Sequence, residues 1–170
     1  FRSTFGDLTL PTTTDKVARR VKEVTKDGLT LALNPLVPEV FGKKSAEKYY
    51  KHLEAILTKQ SSVGIVVQPW RLCPGLNPYS PEAGAKLLAE KLRPLLKLSV
   101  QGGNPRPVLV ESGLAPTMNI VAEAFRLAMA GSGLHKADAA LEIPAYLKGS
   151  PALLREMTEW ATARAAKGAA

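Results

Sequence analysis

VLVESGLAPTMNIVAEAF, residues 108–125, decides how the rest of the chain is read. It opens on a short β-like run, Val108 to Val110, and passes through a turn punctuated by Gly113 and Pro116. From about Pro116 onward, Met118, Val121, Phe125 and Met129 fall at helical spacing, so the stretch reads as strand, turn and amphipathic helix. It is either a nucleic-acid-binding element or one βα unit of an ordinary core. The surroundings decide what it belongs to.

Upstream, QGGNPRP at 101–107 is the clearest linker, and before it the same grammar has already run once. A strand begins near Leu29, and a helix begins near Ser45 with Tyr49, Leu53, Ile56 and Leu57 on one side. SVGIVVQPW at 62–70 is β-branched and nearly all apolar, which predicts a strand buried on both faces. RLCPGLNPYS at 71–80 predicts a loop. Ser80 as N-cap and Pro81 at N1 then start a helix through Leu87, Leu88, Leu92 and Leu95, bent at Pro94. Downstream, a second strand spans Ala139 to Tyr146 and a final helix opens on Ser150 and Pro151.

Corresponding landmarks pair Leu29 with Pro107, Ser45 with Pro116, Val63 with Ala139 and Ser80 with Ser150. The expected fold class is therefore α/β, with two βαβα halves that read as a pseudo-duplication and a mixed or parallel sheet covered by helices. Identity between the halves is low, which leaves convergence on a common unit open. The expected organisation is an extended arm over 1–14, a first half over 15–100, a linker over 101–106 and a second half over 107–170.

With 170 residues the chain can bury a real core without disulfides. No segment approaches the roughly 18 uninterrupted apolar residues of a membrane span. Against 15 acids stand 23 Lys and Arg, a formal charge of +8 that suits a polyanion or an acidic protein surface. One basic amphipathic helix follows Asp15, with Val17, Val21 and Val24 as its apolar stripe. Arg19, Arg20 and Lys22 on its other faces, together with Trp70, are the candidate partner-binding residues.

Chemistry-bearing residues are sparse. Cys73 is the one cysteine and sits in a proline-rich loop, while His52 and His135 read as surface side chains, so neither a disulfide nor a tetrahedral zinc site is expected. Neither a Walker A loop nor a GxSxG elbow is present, and the GSG at 131–133 follows a helix instead of preceding one. Glu111, at a strand end beside Gly113, is the one acid placed where α/β folds put ligands. The expectation is a protein without catalytic residues, metal or cofactor.

Gly113, Pro116, Met118, Asn119 and Val121, following VLV, resemble the G-x-x-P-x-M-N-x-V turn and helix start of the Alba family of small DNA- and RNA-binding proteins. EIPAYLKGSPALLREM resembles that family's second strand and the basic, glycine-containing loop of its second helix, with Lys148 and Gly149 in corresponding places. The resemblance covers about residues 107–165. Two departures weaken a nucleic-acid role: Leu114 and Ala115 stand where the family carries lysine, and the family's β-hairpin after the second helix has no counterpart before Ala170. What the resemblance implies is an Alba-like fold and RNA or DNA binding. A protein of that kind would meet phosphate through Lys148, Arg155, Arg106 and Lys136.

The leading expectation is a non-enzymatic accessory subunit of a large mitochondrial assembly, with a ribonucleoprotein placed ahead of an inner-membrane respiratory or ATP synthase complex. Its partners would be other protein subunits, and RNA in the ribonucleoprotein case. The opening FRST fits an aromatic-x-x-Ser/Thr pattern that follows matrix presequence cleavage, which gives a matrix-side location, with cytosol or nucleus as the alternative. Two other function classes stand beside it: a free-standing Alba-like nucleic-acid-binding protein, and a small α/β enzyme acting on an anionic substrate.

Overall fold

The computed structural model describes residues 19, 21–23, 26, 28, 30–35, 42–60, 62–103 and 105–168. The expected arm over 1–14, and Arg20, lie outside the described residues. Four short strands, β1 (Leu31–Leu33), β2 (Val63–Val67), β3 (Val108–Val110) and β4 (Ala139–Leu141), form one parallel sheet in the order β1-β2-β3-β4. The register runs Leu33↔Ile65↔Val108↔Ala139 across all four. The two βαβα halves thus share a single sheet.

Parallel neighbours need crossovers, and helices supply them: α1 (Gly42–Lys59) joins β1 to β2, α3 (Pro81–Ser99) joins β2 to β3, and α4 (Met118–Met129) joins β3 to β4. A short α2 (Pro69–Leu72) follows β2, a 3₁₀ turn (Ala115–Thr117) precedes α4, and α5 (Ser150–Ala165) closes the described chain. Right-handed crossovers between strands taken in simple sequence order put α1, α3 and α4 on the same face of the sheet. The core confirms it. Ile65, Val67, Val108 and Val110 are buried against Tyr49, Leu53 and Leu57 of α1, Leu88, Leu92 and Leu95 of α3, and Val121 and Phe125 of α4. Side chains alternate along a strand, so Ala32, Gly64, Val66, Leu109 and Ala140 lie on the opposite face, outside that core.

Some local expectations need correction. Strand β4 stops at Leu141, not near Tyr146, because Pro144 and the turns after it end the ladder. The loop expected to begin at Arg71 begins with a helical turn, since Pro69 at N1 presets φ for it and the Arg71 and Leu72 amides donate to Gln68 O at 3.0 and 3.3 Å. Ser80 stands at the start of α3 but its hydroxyl makes no capping bond; Pro81 at N1 carries that signal alone. Pro94 does lie inside α3.

Arg106 shows most clearly how tertiary structure overrides sequence reading. Offered as a phosphate contact, it is instead 7% exposed, with its guanidinium turned inward. Its Nη1 donates to Leu57 O and, at 3.4 Å, to Gln60 O at the end of α1; its Nη2 donates to Leu98 O and its Nε to Ser99 O at the end of α3. Helix C-termini leave carbonyls without intrahelical partners and carry partial negative charge. A single forked cation satisfies two such ends at once. Burial also lowers the pKa of this guanidinium, the expected direction for a cation taken out of water.

Gly64 is the tightest point of the sheet. Any Cβ there would run into the Pro107 carbonyl, whose oxygen accepts the Ile65 amide at 2.9 Å and starts the β2–β3 ladder. Gly64→Ala is expected to destabilise the fold by about 1–3 kcal/mol, the usual range for forced overpacking, as read from the midpoint of a urea titration.

Candidate functional site

In a parallel sheet covered on one face, ligands collect at the carboxyl ends of the strands. Here each strand is followed at once by a polar residue: Asn34 after β1, Gln68 after β2, Glu111 after β3 and Glu142 after β4. The ladder continues one step past the strands, with the Glu111 amide donating to Val67 O and the Glu142 amide to Val110 O, both at 2.9 Å. Gln68, Glu111 and Glu142 therefore form a row across three strands. By alternation the row lies on the side away from the helices.

Glu111 is its centre. Gln68 Nε2 donates to Glu111 Oε1 and Oε2 at 3.4 and 3.2 Å, and Asn34 Nδ2 donates to Oε1 at 3.2 Å. Two amides from two other strands thus hold one carboxylate. Burial pushes the Glu111 carboxyl above its ordinary pKa; the charge of Glu142 adds to the rise, while the bonds from Gln68 and Asn34 and the positive charge of Arg71 oppose it. The same row receives support from behind. The Gln68 backbone amide donates to Tyr49 Oη at 3.0 Å, and Tyr49 is a fully buried residue of α1. Desolvation pushes the Tyr49 phenol up to about 12, so it stays neutral and keeps its lone pairs for that amide.

Loops complete the surroundings. Pro69 opens α2 directly after Gln68, and this turn carries Arg71 close enough to Glu111 and Tyr49 for its charge to act on both. After β3, Gly113 adopts φ +78°, the left-handed region that favours glycine, and the Trp70 ring lies 3.9 Å from where a Cβ would sit. The residues that carry the Alba resemblance, Gly113, Pro116, Met118, Asn119 and Val121, build this β3–α4 turn and the helix start after it. Exposed Tyr79, Leu114 and Tyr146 come from the loops after β2, β3 and β4 in turn.

The residues singled out from sequence are scattered by comparison. Lys136 precedes β4, whereas Lys148 follows it and Arg155 lies on α5, so these exposed cations belong to different ends of the sheet. Arg106 is buried at the strand entry end, as described above. Arg19 and Lys22 are exposed and helical, and Trp70 is half-buried beside Gly113. Cys73 is buried, and burial pushes its thiol up to about 11. Of the carboxylates read from sequence only Glu111 reached this site; its companions Asn34, Gln68, Glu142 and Arg71 were missed. A signal for them existed: one polar residue follows the apolar core of every strand. Among the described residues no group of three or more His, Cys, Asp or Glu is gathered to hold a metal ion, and no helix is long and apolar enough to cross a membrane.

The arrangement is an α/β fold, a parallel sheet with a polar constellation at its carboxyl edge. Solved structures agree with the fold. Proline utilization A (PutA) from Corynebacterium freiburgense matches 99% of this chain at a TM-score of 0.90 and 23% identity. PutA from Bdellovibrio bacteriovorus, inactivated by N-propargylglycine, matches 89% of it at a TM-score of 0.79 and 18% identity. The chain spans 18% of the length of each of those chains. No protein-family model and no curated protein matches it. These matches overturn the expectation of a non-enzymatic, RNA-binding accessory subunit of a mitochondrial assembly, because the fold is one that metabolic enzymes carry. That expectation rested on surface charge and on the lack of a contiguous catalytic motif. Register across four separate strands assembles the site instead.

Proposed function

We propose that this chain is a substrate-binding enzyme domain and that it takes proline or a closely similar cyclic amino acid at the row centred on Glu111. The observation that carries the reading is the Glu111 carboxylate, held by amides of Gln68 and Asn34 at the carboxyl edge of the sheet with Arg71 nearby. A zwitterion needs both charges. Its ammonium meets Glu111, whose negative potential Glu142 deepens, and its carboxylate meets the positive charge of Arg71. Exposed Tyr79, Leu114 and Tyr146, on the loops that follow β2, β3 and β4, offer apolar surface for its ring. The similarity to PutA supports proline as the first ligand to try, and an acidic row within a chain of charge +8 favours an amine over an anion.

Calorimetry with three ligands tests the reading. L-proline is expected to bind at least tenfold more tightly than pyrrolidine, which lacks the carboxylate, and than cyclopentanecarboxylate, which lacks the amine. Equal affinity for all three, or no binding of L-proline, would contradict it.

A further inference from the structure

The Glu111 row is organised from the far side of the sheet. Beyond the last register pair of β1 and β2, Leu33↔Ile65, strand β1 offers no further ladder partner, and the Gln68 backbone amide turns instead to the Tyr49 phenol at 3.0 Å. The same residue then spends both hydrogen-bonding contacts of its side-chain amide on Glu111. One residue on, Pro69 cannot donate and α2 begins; the Gln68 carbonyl accepts the Arg71 and Leu72 amides at 3.0 and 3.3 Å, and its own amide is held by that phenol. We propose that Tyr49 is a positioning residue for Glu111, acting through Gln68. This rests on the reading of Glu111 as the ligand-binding carboxylate, but concerns how that carboxylate is held.

The geometry makes the phenol suited to the task. Tyr49 is 2% exposed and clamped in the core between helix α1 and the sheet, so its oxygen is a rigid acceptor. Its desolvated hydroxyl stays neutral throughout the range in which a carboxyl titrates. Charged and titratable groups around Glu111 are Glu142 on its own edge of the sheet, Arg71 from α2 and Tyr49 from α1. Neither Glu142 nor Arg71 changes when the Tyr49 oxygen alone is removed. Without that acceptor the Gln68 N–H loses its partner and only the carbonyl side of the residue stays anchored, so the side-chain amide holds the carboxylate less firmly and the ionised form of Glu111 loses donor strength.

The test follows Glu111 by carbon-detected NMR of the side-chain carboxyls, with Glu111→Gln identifying the resonance. Tyr49→Phe keeps the ring and is expected to move the Glu111 midpoint upward by about half a unit or more. Gln68→Ala should raise it similarly, and Tyr49→Phe added to Gln68→Ala should add nothing, the signature of action through one residue. An unchanged midpoint in Tyr49→Phe, or a full second shift on the Gln68→Ala background, would overturn the proposal. If Tyr49→Phe does not fold, the wild-type protein decides: the Gln68 backbone amide resonance must follow the Glu111 midpoint, and an amide indifferent to it overturns the proposal. Because none of these readouts needs ligand, absence of proline binding would sink the functional reading and leave this one standing.

Discussion

Arg106→Met is expected to destabilise the protein by about 2–4 kcal/mol, a loss of roughly 4–16 °C in Tm for a chain of this size. Methionine keeps much of the apolar stem but removes every side-chain donor: Leu57 O and Gln60 O lose the bonds they accept from the guanidinium, while Leu98 O keeps the Val100 and Gln101 amides and Ser99 O keeps the Arg106 backbone amide. A buried acceptor that has lost its partner costs far more than a surface contact, and Leu57 O and Gln60 O face that loss together. Arg106→Lys restores the charge without the fork, so it should recover less than half of the deficit. Thermal unfolding followed by circular dichroism measures both. A loss below about 1 kcal/mol in the methionine variant, typical of a surface cation, would mean that the guanidinium is not the clamp described.

Glu111→Gln is expected to weaken L-proline binding by about 10- to 150-fold, the equivalent of one hydrogen bond between charged groups at about 1.5–3 kcal/mol. Its pH dependence has a defined sign. The ammonium needs an ionised carboxylate, and the pKa of Glu111 is raised, so wild-type affinity should climb as pH rises through a midpoint above the usual carboxylate range and level off beyond it. The variant should be flat over that interval. Stability moves the other way: a raised carboxyl pKa means that the neutral form suits the fold better, so the contribution is fully present at low pH and is lost as pH rises through the folded-state pKa. Glu111→Gln mimics the neutral form and should keep or raise Tm at neutral pH while losing ligand. A variant that loses both together would place Glu111 in the scaffold and not in the site.

The fold was largely legible because its signals are local. Five buried residues in a row, Val63 to Val67, wrote β2 into the sequence, and Ser80-Pro81 and Ser150-Pro151 marked two helix starts by backbone chemistry alone. The βαβα repeat followed from the order of those elements, and the single parallel sheet carries it. Glu111 was legible for the same reason, being a strand-end acid beside a turn glycine.

What could not be read was whatever depends on register. Asn34, Gln68 and Glu142 are unremarkable polar residues one at a time, and only the pairing Val67↔Val110↔Leu141 brings the last two into a row with Glu111. Arg106 failed in the opposite sense. Between two prolines in a linker it looks like an exposed cation, and nothing nearby in sequence announces that two helices end against it. The basic surface then drew attention to polyanions, while the acidic row at the strand ends is a few residues within a chain of charge +8.

The most direct test of the central claim is to titrate L-proline into isotope-labelled protein and map the amide resonances that move. The shifts are expected to centre on Asn34, Gln68, Arg71, Glu111 and Glu142 and to saturate with a single dissociation constant. Shifts confined to the outer helix surfaces of α3 and α5, or none at the carboxyl edge of the sheet, would contradict it.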